Sequence, residues 1–299
     1  MDPADPVNGP VHAPANTTVN VPAERALRIL HLSDSHLFGD SSLQYDQVDT
    51  LAALQRVLER AGVLDRADAV VLSGDLSNDG SAGSYRRLRA LVEPWAAAHG
   101  SAVVYAMGNH DLPAGFEEVL GDRESVTTVR GFRIVCLDSS VPGAGFGVLR
   151  PAQLDWLRAV LRTPAPSGTV IVVHHPPVPA ATALLAALEL RHPEELLEVC
   201  RGTDVRLILC GHYHHPMTAE LGGIPVVVAP GIANTSDALA AGGTERATVG
   251  SGFAVVELPA VGAARTIFVS VPGPDDGAEI FNLTPDEVQR IAREAGWHE

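Results

Sequence analysis

Short apolar runs recur along the chain, and most of them stop at the same kind of polar cluster. Leu27 to Leu32 reads as a buried strand ending at Ser33-Asp34-Ser35-His36. Over residues 46–62, Val48, Leu51, Leu54, Val57 and Leu58 fall at helical spacing. A second strand, Ala67 to Leu72, stops at Gly74-Asp75, and a second amphipathic helix spans 81–98. A third strand, Ala102 to Met107, stops at Gly108-Asn109-His110-Asp111. This βαβαβ alternation predicts an α/β fold with a sheet sandwiched between helices.

The pattern then shortens. Val126 to Val129 and Phe132 to Leu137 flank Arg130-Gly131, a hairpin signal. A loop rich in Gly and Pro, Ser139 to Gly147, leads to a helix that opens at Pro151 and carries Leu154, Leu157, Val160 and Leu161 on one face. The strand Thr169 to Val173 runs into His174-His175-Pro176-Pro177. A helical stretch, Glu194 to Arg201, precedes the strand Val205 to Cys210, which ends at Gly211-His212-Tyr213-His214. From Met217 on, short strands dominate: Thr218 to Leu221, Ile224 to Ala229, Phe253 to Leu258 and Arg265 to Val269, with a flexible loop at Ala241-Gly242-Gly243-Thr244. Thr284-Pro285-Asp286-Glu287 combines an N-cap, a first-position Pro and a capping-box Glu, so a helix closes the chain, with Gly296 as its terminator.

Five strand ends therefore carry metal-ligand residue types at equivalent places. His212 and His214 can serve one site because residues two apart in extended chain project to the same side. Taken singly, Asp34, Asp75 and Asn109 read equally well as helix caps or turn residues, and a lone histidine is usually a core or surface residue. Yet seven of the twelve histidines fall in these stretches: His36, His110, His174, His175, His212, His214 and His215. Oxygen and imidazole ligands without thiolate suit Mn, Fe or Zn. Their number exceeds the need of one ion, and a carboxylate can bridge. Two ions about 4 Å apart, clamping a phosphoryl oxygen and holding a hydroxide between them, are the economical arrangement.

Composition narrows the chemistry further. With 299 residues and 46% apolar content the chain can bury a full core. All 21 basic residues are arginine, which excludes a P-loop lysine and Schiff-base chemistry. A net charge of −15 argues against nucleic acid as the partner, while bound cations leave a small anionic substrate open. Cys136, Cys200 and Cys210 are scattered and read as buried thiols. No apolar run reaches the roughly 18 residues needed to span a bilayer. Residues 1–24 lack the basic and apolar regions of a secretory signal and read as a disordered leader, so a cytoplasmic protein is expected.

The blocks Asp34-x-His36, Gly74-Asp75, Gly108-Asn109-His110-Asp111, His174 and Gly211-His212-x-His214, complete and in order over residues 34–214, resemble the calcineurin-like metallophosphoesterases. Gly74 to Gly80, His174 to Pro177 and Arg201 to Arg206 look closest to the bacterial class III cyclic-nucleotide phosphodiesterases, with the glycerophosphodiesterase branch similar. The resemblance implies a four-layer α/β/β/α sandwich: a core over 25–222, then 223–299 adding strands that complete the sheet and a terminal helix. It implies that Asp34, His36 and His214 hold one metal, that Asn109, His174 and His212 hold the other, and that Asp75 bridges. His110 would stabilise the oxyanion or protonate the leaving alkoxide. Asp111 would orient His110 or simply cap the following helix. His175 would stand behind the site and His215 at the surface. The implied activity is hydrolysis of a small phosphodiester, a 3′,5′- or 2′,3′-cyclic nucleotide, by the metal-bridging hydroxide, with glycerophosphodiesters or phosphomonoesters as alternatives. A homodimer is implied by resemblance alone. A non-enzymatic scaffold of this fold would be expected to have lost ligands, and here the set is complete.

Overall fold

The computed structural model describes residues 26–296, and the leader expected over 1–24 lies outside the described residues. The chain begins with β1 (Leu27–Leu32), α1 (Thr50–Ala61), β2 (Ala69–Leu72), α2 (Ala82–His99), β3 (Ala102–Tyr105) and α3 (Pro113–Val119). A hairpin of β4 (Ser125–Val129) and β5 (Phe132–Leu137) follows, then β6 (Gly147–Val148), α4 (Pro151–Leu161) and β7 (Gly168–Val173). Next come α5 (Ala183–Ala187), β8 (Leu190–Arg191), α6 (Pro193–Cys200), β9 (Val205–Cys210), β10 (Met217–Leu221) and β11 (Ile224–Val228). The remainder is β12 (Thr235–Ser236), β13 (Glu245–Thr248), β14 (Ser251–Leu258), β15 (Arg265–Val271), β16 (Glu279–Leu283) and α7 (Pro285–Ala295).

Two sheets form the centre. One has the order β15-β14-β1-β2-β3, the other β10-β11-β9-β7-β5-β4. β1, β2 and β3 are mutually parallel, as are β5, β7, β9 and β11. Strand alternation explains the layering. Leu27 and Ile29 of β1, Val170 and Val172 of β7, and Leu207 and Leu209 of β9 face into the seam between the sheets. The intervening Leu30 and Leu32 pack against α1 and α2, while Ile171, Val173 and Ile208 pack against α4 and α6. Strands buried on both faces read as continuous apolar runs, which is why they stood out in the sequence. The result is the four-layer α/β/β/α sandwich. All three cysteines are buried and free.

Some segments depart from expectation. α1 begins at Thr50 rather than near 46, because Tyr45 and Asp46 are left-handed (φ 52° and 56°) and Asp49 caps Ala52 N. Beyond the strands expected after residue 230, β12, β13 and β16 form a further three-stranded antiparallel sheet. Two further helices, α3 and α5, are too short for periodicity to register in the sequence.

Leu209 sits fully buried between the two sheets. Leu209→Ala is expected to cost about 2–5 kcal/mol, read as a lowered urea midpoint at unchanged m-value.

Candidate metal centre

The C-terminal ends of β1, β2 and β3 meet those of β7 and β9 along one edge of the sandwich, where α/β sheets place ligands. Backbone bonds lock the loops to one another: Asp34 N donates to Gly74 O at 3.0 Å, His36 N to Asp75 O at 3.0 Å, and Gly211 N to His174 O at 3.0 Å. Each strand must turn sharply to aim its last side chains into the seam. Five expected ligands accordingly take left-handed backbone: Asp34 (φ 54°), His36 (45°), Asp75 (49°), His212 (70°) and His214 (52°). Such conformations cost on the order of 1–3 kcal/mol each and persist only where the surroundings enforce them. Gly108 is required for a different reason. A Cβ there would lie 2.3 Å from Asp75 N and Oδ1.

These side chains converge into two groups. Asp34, His36, Asp75 and His214 bring candidate ligand atoms within 4.8 Å of one another, and so do Asp75, His174 and His212. Asp75 belongs to both. Its Oδ2 lies 3.3 Å from His174 Nε2 and 3.6 Å from His36 Nε2, and its Oδ1 accepts the His110 backbone N–H at 2.8 Å. His214 Nε2 stands 3.4 Å from Asp34 Oδ1 and 3.2 Å from His36 Nε2.

The donor set fits bound cations. The outward nitrogen of each of four histidines meets an oxygen acceptor: His36 Nδ1 at Asn78 Oδ1 (3.3 Å), His174 Nδ1 at Ser73 O (2.8 Å), His212 Nε2 at Leu188 O (3.0 Å) and His214 Nδ1 at Asn234 O (3.3 Å). An acceptor fixes the proton on the nitrogen it faces and leaves the other nitrogen as a lone pair. The lone pairs of His36 and His214 then confront each other, a repulsion that a cation relieves. His174 Nε2 and Asn109 Oδ1 are buried with no hydrogen-bond partner, the condition of ligand atoms awaiting an ion.

Electrostatics agree. Burial would raise the Asp75 carboxyl, yet His174, His110 and His36 around it hold it well below the usual carboxylate range. Burial pulls His174 down, but Asp75 beside it prevails and lifts it to about 9. Burial, joined by neighbouring imidazoles, pushes His36 and His212 down, toward the neutral form that ligates.

Other expected residues are placed as follows. His110 is exposed, its ring edge-on to His36 at 4.7 Å. Asp111 does not cap the following helix. Its buried carboxylate accepts N–H bonds from Leu76 (3.1 Å), Ser77 (2.9 Å) and Gly108 (2.9 Å), and α3 has no side-chain cap. It is a clamp joining the β2 and β3 loops, pushed up to about 7 by burial and the nearby Asp75 charge. His175 backs the site, bonded to Ser139 Oγ and Gly145 O, with its ring 4.4 Å from that of His212. The surface position expected for His215 is wrong: it is buried and stacks on Tyr213. The acceptors Ser73, Leu188 and Asn234 act through backbone carbonyls, which leave no side-chain signal. Asn78 did have one, lying within the Gly74 to Gly80 block.

Oxygen and imidazole ligands gathered into two groups around one shared carboxylate define a dinuclear-style phosphoesterase centre. The family model for calcineurin-like phosphoesterases matches residues 27–216. Over 227 residues the chain is 44% identical to a cAMP/cGMP dual specificity phosphodiesterase of Mycobacterium tuberculosis (strain CDC 1551 / Oshkosh), covering 72% of this chain and 71% of that protein. It is 33% identical over 217 residues to the 3′,5′-cyclic adenosine monophosphate phosphodiesterase CpdA of Pseudomonas aeruginosa, covering 71% of this chain and 78% of the other. A dimetal phosphatase from Danio rerio shares the fold with a TM-score of 0.55 at 13% identity, over 83% of this chain and all of that one. The chain belongs to the calcineurin-like phosphoesterases and is a metal-dependent hydrolase. Among the described residues, no helix is long and apolar enough to cross a membrane.

Asn78 holds His36 in the ligating tautomer, and outer partners of this kind are worth about 10–100-fold in metal affinity. Asn78→Ala is therefore expected to weaken metal binding by about that factor in folded protein, measured by competition with a chromogenic chelator.

Proposed function

We propose that the protein hydrolyses 3′,5′-cyclic nucleotides to nucleoside monophosphates at this centre. The observation that carries the reading is Asp75, common to both ligand groups, with His174 Nε2 3.3 Å from its Oδ2. The substrate class is supported by the two relatives, both cyclic-nucleotide phosphodiesterases by name. In this reading Asp34, His36 and His214 hold one ion, Asn109, His174 and His212 the other, and Asp75 joins them. The ions belong to the set Mn, Fe and Zn, by the softness of the ligands. When bound, they supply positive charge to the phosphoryl oxygens and lower the pKa of a water nucleophile.

The chain's own residues do the rest. The four carbonyl- and amide-anchored imidazoles keep their lone pairs fixed before substrate arrives, so no reorganisation is needed at the moment of reaction. Water adds to phosphorus, one ring P–O ester bond breaks, and the departing oxygen takes up a proton. His110, exposed beside His36, is the group able to give that proton or to hydrogen-bond a phosphoryl oxygen. Asp111 keeps the His110 loop against the Asp75 loop. The homodimer implied by the resemblance belongs to this reading, and a single-chain mass by light scattering would remove it.

Metal-stripped protein is expected to be inactive toward 3′,5′-cAMP and 3′,5′-cGMP and to recover with Mn²⁺. Asp75→Ala and Asn109→Ala should each lose about 100-fold or more in kcat/KM, beyond the 10–100-fold typical of outer partners. Full activity in either variant, or preference for glycerophosphodiesters or p-nitrophenyl phosphate over cyclic nucleotides, would overturn the assignment.

A further inference from the structure

Between His36 and α1 the chain makes a tight turn. Gln44 N donates to Val48 O and Val48 N to Gln44 O, both at 3.0 Å, enclosing Tyr45, Asp46 and Gln47. Tyr45 and Asp46 are both left-handed there. Asn or Gly would take such backbone at little cost, whereas for an aromatic residue it is a genuine outlier. The strain lifts the Tyr45 ring away from the core and leaves it 53% exposed.

The ring is nevertheless held in place. Phe281 of β16 meets it edge-on, with centroids 5.3 Å apart and planes at 68°. Phe281 is itself seated on Val48, Ala247 and Ile280. Gln47 Nε2 donates to Ile280 O, pinning the turn to the same strand. The turn is also wired to the metal centre. Gln44 Oε1 accepts from Asn234 Nδ2 at 3.0 Å, and Asn234 O accepts from His214 Nδ1.

An exposed, braced aromatic ring, next in sequence to the residue that reaches His214 through Asn234, has an obvious use when the diester carries a flat heterocycle. We propose that Tyr45, supported edge-on by Phe281, is the platform on which the nucleobase of the substrate stacks. The inference rests on the cyclic-nucleotide reading above and adds to it a determinant of substrate preference. Stacking is tolerant of sequence because every base has a π-face. The platform therefore favours nucleoside diesters over small ones while discriminating little between adenine and guanine.

The test uses full-chain, Mn²⁺-loaded protein and three substrates: 3′,5′-cAMP, 3′,5′-cGMP and a base-less ester, methyl ribofuranoside 3′,5′-cyclic phosphate. Tyr45→Ala is expected to lower the ratio of kcat/KM for nucleotide over base-less ester by about 5- to 150-fold, the range base–aromatic stacking supplies. The loss should fall mainly in KM and equally for both nucleotides, as expected for removal of uniform binding. Tyr45→Phe and Tyr45→Trp should keep the wild-type ratio. An unchanged ratio in Tyr45→Ala overturns the platform, and so does an equal loss on all three substrates, which marks collapse of the turn. If the wild type cleaves bis(p-nitrophenyl) phosphate but no cyclic nucleotide, the functional reading falls and takes this inference with it.

Discussion

The structure turns on one carboxylate. Asp75 lies in the seam between two sheets, fully enclosed, and contributes oxygen atoms to two ligand groups at once. A buried carboxylate without compensation is costly, and the surrounding architecture supplies the compensation. His174 comes from one sheet, His36 from the other, and the His110 backbone N–H from a third loop. No single strand could bring these together, so the two-sheet arrangement is a requirement of the site rather than a container for it. Gly108 lacks a Cβ because Asp75 occupies that space, and Asp111 ties the same two loops from behind.

Holding this carboxylate and its partners demands strained backbone at five ligands, which only a well-packed core can enforce. The seam residues Ile29, Val71, Val172 and Leu209 supply part of that rigidity, packed together between the strands that lead into the loops. The backbone carbonyls of Ser73, Leu188 and Asn234 complete the arrangement by setting imidazole tautomers. Stability is thus invested in preorganisation: the ligand atoms are oriented by bonds made on their far sides, independent of any ion.

Much of this was legible in the sequence, for a physical reason. Strands buried on both faces are continuous apolar runs, and a ligand at the end of each run stands out against them. That is how Asp34, Asp75, His174 and His212, which the fold brings into the two groups, stand out as candidates in the sequence. What stayed hidden depends on partners distant in sequence. Asp111 looked like a helix cap or a helper of His110, because its three backbone donors from Leu76, Ser77 and Gly108 carry no residue-type signal. His215 looked exposed at the end of a polar cluster, yet Tyr213 covers it. The small sheet of β12, β13 and β16 was missed because its strands are two to five residues long and alternate only weakly.

That small sheet changes how the metal centre meets its surroundings. The five ligand-bearing strand ends are set by the apolar pattern and leave little freedom for variation. By contrast, the Asn234 loop meets the centre through a hydrogen bond to His214, and the turn at 44–48 and β16 follow behind it through the Gln44–Asn234 bond and the Tyr45–Phe281 ring contact. Such elements can change shape without disturbing the seam, since none of them packs between the two sheets. Chemistry and selectivity are therefore built from different kinds of structure here: the first from strand ends that the core holds rigid, the second from a rim that it merely supports. His214 is the point where they join, its Nε2 turned toward Asp34 and its Nδ1 toward the Asn234 carbonyl. A shift in the rim that moved Asn234 would be felt at the ligand itself, so the two halves of the site are separable in role but coupled through one imidazole.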